Sequence, residues 1–151
     1  MEVRHGGLDH PAVRELVALH RREALASTPA DNAHALDLSG LQGPAVTFVT
    51  AWDGVDLLGM AALRDLGGGH AELKSMRTHP DHLRRGVARV LLAHILALAR
   101  DHGHRRLSLE TGTAPMFDAA NRMYEAAGFT DGEPFGGYPP SPHNRFMTLA
   151  L

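Results

Sequence analysis

Hydrophobic and polar positions alternate with clear periods along this chain. Val13, Leu16, Val17, His20 and Ala24 recur at helical spacing with Arg14, Glu15, Arg21 and Arg22 opposite, which predicts a first helix, with Asp9 as its cap and Pro11 in its first turn. A short apolar start at Val3 precedes it. Residues 27–43 mix Pro, Asp, Asn, Ser and Gly with a few apolar residues and read as a loop holding one short helical turn. Residues 45–52, rich in Val, Thr and Phe, form a predicted hairpin with residues 55–63 across Asp53-Gly54. After Gly67-Gly68-Gly69, residues 70–78 read as a strand with Glu72, Lys74, Met76 and Thr78 on one face and Leu73, Ser75 and Arg77 on the other. The strongest helix spans residues 87–102, with Ala88, Leu91, Leu92, Ile95, Leu98 and Ala99 in its stripe and Gly103 as its stop. A strand at 106–110, a helix capped by Thr113 and running through Phe117, Ala120, Tyr124 and Ala127, a Pro/Gly-rich loop at 132–144 and a final strand at 145–151 complete the order.

Composition narrows the classes. At 151 residues, 44% hydrophobic and 21% charged, the chain is expected to be a single globular domain, residues 1–151, with a real core. A formal charge of −2 excludes a global basic field, so no nucleic-acid and no membrane partner is expected and any phosphate recognition must be local. Zero cysteines exclude a disulfide scaffold, thiolate metal sites and a thiol nucleophile. The first eleven residues lack the apolar run of a signal peptide, and the longest apolar stretch, 87–99, is short of a membrane span. A cytoplasmic location is the expectation. The eleven histidines invite a metal, but His79/His82 and His102/His104 lack partners in a recognisable ligand array, so no metal is expected and the rings are read as mostly solvated.

One constellation carries chemistry. Between the strand ending at Thr78 and the strong helix lies His79-Pro80-Asp81-His82-Leu83-Arg84-Arg85-Gly86-Val87-Ala88. Two arginines, a glycine and small residues where a strand turns into a helix make a local anion site, because the first helical N–H groups and the helix dipole point at the ligand. The alternative at this level is a pair of solvated arginines beside a turn.

The run Leu83-Arg84-Arg85-Gly86-Val87-Ala88, preceded by Met76-Arg77-Thr78, resembles the acetyl-CoA signature of the GNAT superfamily of N-acetyltransferases, Q/R-x-x-G-x-G/A. Asn121-Arg122-Met123-Tyr124-Glu125-Ala126-Ala127-Gly128-Phe129 resembles the same family's second signature. Leu83 departs from the pattern, standing where Gln or Arg is usual, at the loss of one side-chain contact.

The resemblance implies an α/β fold: a mixed, twisted, splayed central sheet of about six to seven strands flanked by helices. It implies acetyl-CoA as co-substrate, with main-chain groups of Met76, Arg77 and Thr78 along the pantetheine arm and Leu83, Arg84, Arg85, Gly86, Val87, Ala88 and Arg89 around the pyrophosphate. Asn121 would bond the pantetheine arm and Tyr124 would protonate the departing thiolate. Glu72 matches the catalytic glutamate of one branch and would act as base if burial raises its pKa; otherwise it is a surface carboxylate paired with Lys74. Glu110, a histidine or water are the other candidates for the base. Glu110, His34 and Tyr138 are candidate contacts for a small-molecule amine acceptor, and His20 lies in the same region. The segments H-A-L-D-L-S-G-L, S-L-E-T-G and P-F-G-G-Y resemble a bacterial branch of small-molecule acetyltransferases. Absence of cysteine favours direct transfer over a covalent intermediate. A non-catalytic acyl-CoA-binding module is the rival reading, and the resemblance allows a homodimer.

Overall fold

The computed structural model describes residues 1–27 and 36–151. Residues 28–35 of the predicted 27–43 loop, His34 among them, lie outside the described residues. The elements are β1 (Glu2–His5), α1 (Pro11–Ser27), α2 (Leu38–Leu41), β2 (Val46–Asp53), β3 (Asp56–Gly67), β4 (His70–Thr78), α3 (Val87–Asp101), β5 (Arg106–Gly112), α4 (Asp118–Ala126), β6 (Thr130–Asp131) and β7 (Asn144–Ala150). Among the described residues the strands form one sheet in the order β1-β2-β3-β4-β5-β7-β6. Every neighbouring pair is antiparallel except β4 and β5, which are parallel and joined through α3, the crossover such a pair requires.

Both faces of the sheet centre are covered. From Leu57 to Leu63, β3 carries no polar side chain, and from Met60 onward successive residues alternate between two cores, after a bulge against β2 that leaves Leu58 and Gly59 both toward α3. Leu58, Ala61 and Leu63 pack under α3, whose stripe of Val87, Leu91, Leu92, Ile95 and Ala99 is buried as its period predicts. Leu57, Met60 and Ala62 face Val13, Leu16 and Val17 of α1. Gly59 is required by close approach: a Cβ there would stand 2.7 Å from the Arg77 carbonyl oxygen and 2.9 Å from Val87 Cγ1.

The sheet is splayed, as the resemblance implies. β4 and β5 pair only from His70/Arg106 to Leu73/Leu109. Beyond that point β4 stays on β3 as far as Thr78, while β5 follows β7 to Gly112. At the parting, Ser75 adopts the left-handed conformation at φ 55°, and one extra residue of β4 sits between the Lys74/Ala62 and Arg77/Met60 pairs. This bulge breaks the predicted strict alternation of β4 after Lys74, whereas residues 71–74 alternate and are all buried because both faces of the strand are covered there.

Local expectations are corrected at three places. The cap of α1 is His10, whose Nδ1 accepts from the Ala12 N–H at 3.1 Å, not Asp9. The β2–β3 turn falls on Gly54-Val55, one residue later than predicted, with Asp53 paired to Asp56. Thr113 does not cap α4; its hydroxyl donates to the Pro142 carbonyl at 2.7 Å, and a 3-10 turn at Pro115–Phe117 leads into the helix.

Candidate active site

The splay opens two adjoining spaces. One, of about 170 Å³, has a mixed lining in which the polar groups include Glu72, Lys74, Ser75, Glu110, His143 and Asn144. The other, of about 570 Å³, is lined mainly by apolar groups, including Met76, Leu83, Ala88, Met116 and Met123, together with Arg77 and Thr78. His20, Ala24, Met76, Phe117, Ala120 and Tyr124 line both and so mark the junction.

The apolar cleft ends at the loop between β4 and α3. His79 Nδ1 accepts from the Asp81 N–H at 3.1 Å and shapes the turn Pro80–His82. Arg84 at φ 62° and Gly86 at φ 80° then reverse the chain into α3. No side chain caps that helix. The N–H groups of Val87, Ala88 and Arg89 therefore lack intrahelical acceptors and are suited to an anion. The Arg85 guanidinium contacts His82 Nδ1 at 2.8 Å and Asp53 at 3.4 Å, toward the β2–β3 turn, while Arg84 and Arg89 are exposed. Arg77 pairs with Glu23 at 2.5 Å and ties β4 to α1.

Asn121 is buried, but its Oδ1 accepts from the Thr111 hydroxyl at 2.7 Å and its Nδ2 donates to the Gly112 carbonyl at 3.0 Å. It anchors α4 to the end of β5 and is not on either cleft wall. One turn later Tyr124 is buried against Phe129 edge to face, and burial pushes its hydroxyl pKa up to about 12. The phenol is thus held protonated at the junction.

Glu72 is 1% exposed, so the surface alternative for this carboxylate is corrected, although the pairing with Lys74 is present at 3.4 Å. Tyr138 donates to the other carboxylate oxygen at 3.2 Å and accepts from Lys74 Nζ at 2.6 Å; Arg64 stands at 3.8 Å. Burial raises the Glu72 pKa above the usual carboxylate range, against the opposing pull of Lys74, the Tyr138 hydrogen bond and Arg64. Tyr138 is held above the ordinary phenol by burial and by Glu72. Lys74 is the only lysine in the chain, and its compact ammonium fits between a carboxylate and a phenol where a planar guanidinium would not. Tyr138 reaches the cavity through Glu72 and Lys74 and does not line it. Glu110 does line it and accepts from Asn144 Nδ2 at 2.8 Å.

His20 corrects the reading of solvated histidines. It projects from α1 into the junction, and burial, with Arg77 and Lys74 nearby, lowers its pKa to about 4, against a smaller opposing effect of Glu23. Its place in the apolar stripe after Leu16 and Val17 was the signal for burial. Among the described residues no three His, Asp or Glu side chains gather as a metal site, and no helix is long and apolar enough to cross a membrane.

Known proteins share this sequence pattern and fold. The family model for the Acetyltransferase (GNAT) family matches residues 13–129. The Escherichia coli protein named uncharacterized N-acetyltransferase YedL is 50% identical over 144 residues, covering 95% of this chain and 91% of its own. An acyl-CoA N-acyltransferase structure from Klebsiella pneumoniae superposes with a TM-score of 0.81 at 26% identity, over 99% of this chain and 97% of the other. The Salmonella typhimurium acetyltransferase yncA, solved with its cofactor acetyl-CoA, superposes at 0.72 with 20% identity, covering 100% of this chain and 94% of its own, a likeness of fold.

Proposed function

The chain belongs to the acetyltransferase (GNAT) family, and we propose that it transfers the acetyl group of acetyl-CoA directly to the primary amine of a small cytoplasmic molecule. The observation that carries this reading is the meeting, at Met76 and Tyr124, of an apolar cleft and a small cavity that holds the carboxylates of Glu72 and Glu110. The first suits a pantetheine arm that ends on the anion-binding amides of Val87 to Arg89. The second suits a small acceptor.

Each residue then has a chemical task. The left-handed Ser75 turns main-chain groups of β4 away from β5, which leaves a donor near Met76 to polarise the thioester carbonyl. Glu72, through the cavity it lines, takes the proton of the incoming ammonium; its raised pKa improves it as a base, and Lys74 and Tyr138 hold it in place. The nitrogen forms its bond to the acetyl carbon as the carbon–sulfur bond breaks, Tyr124, kept protonated by burial, gives its proton to the departing thiolate, and the second proton shed by the nitrogen as the amide forms restores the phenol. Glu110 and Asn144 border the acceptor. Arg84, Gly86 and Arg89 surround the pyrophosphate, and Leu83 and Ala88 flank the arm.

Initial-rate kinetics with acetyl-CoA and an amine panel test the reading. Intersecting double-reciprocal lines and an N-acetylated amine equal to the thiol released are expected. Parallel lines with an acetylated protein in the mass spectrum would overturn direct transfer.

A further inference from the structure

Two buried polar atoms of residues that line this cavity have no hydrogen-bond partner among the described residues: His20 Nδ1 and Ser75 Oγ. Buried polar atoms are ordinarily paired, so two orphans on one small cavity mark a place where a bound molecule supplies the partners. His20 also reaches the apolar cleft, so this place adjoins the junction that the reading above assigns to the thioester. We propose that His20 Nδ1 and Ser75 Oγ form the subsite that receives the acceptor nitrogen as an uncharged primary amine. The inference rests on the acetyltransferase reading and adds to it where the nucleophile sits and in which form.

The neighbouring charges set that form. Arg77 and Lys74 both act against a further cation at His20, and Glu23, the nearby carboxylate, is paired with Arg77. An ammonium is therefore disfavoured at Nδ1, while Glu72 and Glu110 elsewhere on the same wall suit it. An amine entering as R–NH3⁺ leaves one proton on Glu72 and presents two N–H groups. One donates to Nδ1, in the tautomer that carries its hydrogen on Nε2, and the other donates to Ser75 Oγ. The lone pair is left for the acetyl carbon. A secondary amine has one N–H and leaves one of the two atoms unpaired, which predicts selectivity for primary amines.

The test compares His20→Ala, His20→Asn, His20→Gln and Ser75→Ala in the full chain. Readouts are thiol release with matched primary and N-methylated amines, CoA affinity by calorimetry and urea unfolding. Asn places a polar atom near Nδ1, whereas Gln places one near Nε2. His20→Ala and Ser75→Ala are each expected to lower kcat/KM for the primary amine about tenfold or more and to shrink its advantage over the N-methylated one. CoA affinity stays within about threefold, and His20→Asn recovers most of the rate while His20→Gln does not. Folded Ala variants within about twofold of the parent chain overturn the subsite, as does rescue by Gln equal to rescue by Asn. Should an Ala variant fail to fold, the Asn/Gln comparison decides alone. A parent chain that releases no thiol with any amine overturns the acetyltransferase reading itself, and this inference with it.

Discussion

Replacing Lys74 by Met removes the main cation facing a carboxylate that is almost wholly out of water. Glu72 is 1% exposed and Lys74 8%, so the pair is of the buried kind, for which losing one partner costs about 3–5 kcal/mol. The Tyr138 hydroxyl at 3.2 Å and the 40% exposed Arg64 at 3.8 Å remain, which places the expected loss near the lower limit, about 3 kcal/mol. The sign of the pH dependence follows from the direction of the shift. Glu72 already has a folded-state pKa above its unfolded value, so its stabilising contribution is complete below the unfolded value and is lost as pH rises through the folded one. Without Lys74 the folded value rises further, and the ionised group weighs most heavily on the fold at high pH. Urea unfolding of Lys74→Met is therefore expected to show its full deficit at about pH 8 and less than half of it at about pH 5. Adding Glu72→Gln to Lys74→Met recovers most of the loss, because no buried charge is left without a partner. A deficit below about 1 kcal/mol at the higher pH, or one equal at both, would refute the electrostatic reasoning.

The catalytic and backbone assignments give further outcomes. Tyr124→Phe is expected to lower kcat about 10²-fold, with CoA affinity by calorimetry and the urea midpoint little changed, since only a hydroxyl at the junction is lost. Gly59→Ala sets a methyl 2.7 Å from the Arg77 carbonyl oxygen and pushes α3 off the sheet; a loss of about 1–3 kcal/mol in urea unfolding is expected. Gly86→Ala meets no neighbouring atom but must hold φ near 80°, so about 1–2 kcal/mol of strain falls on the loop, read as weaker CoA binding by calorimetry.

Where one period and one side chain decide the structure, the residues spelled it out. The α3 stripe from Val87 to Ala99, its stop at Gly103 and the hairpin of β2 with β3 all follow from local pattern. The splay of the sheet came through family resemblance, because a splay is a relation between strands that no single strand encodes. Ser75 was not legible, since a serine at positive φ runs against its own preference and is held by the sheet on one side only. Asn121 and Tyr138 are decided by partners 9, 10 and 66 residues away in Gly112, Thr111 and Glu72, which spacing along the chain does not disclose. His20 could have been found from its position in the α1 stripe. The reading of the eleven histidines as mostly solvated argued the other way.

Thiol release from acetyl-CoA across a panel of small primary amines tests the central claim most directly, and the chain's lack of cysteine leaves the assay without a protein background. At least one amine is expected to yield CoA thiol and N-acetylated product in equal amounts, with turnover falling about 10²-fold in Tyr124→Phe. Acetyl-CoA bound tightly, with no thiol released by any amine and no difference between the parent chain and Tyr124→Phe, would contradict it and leave a binding module of the same fold.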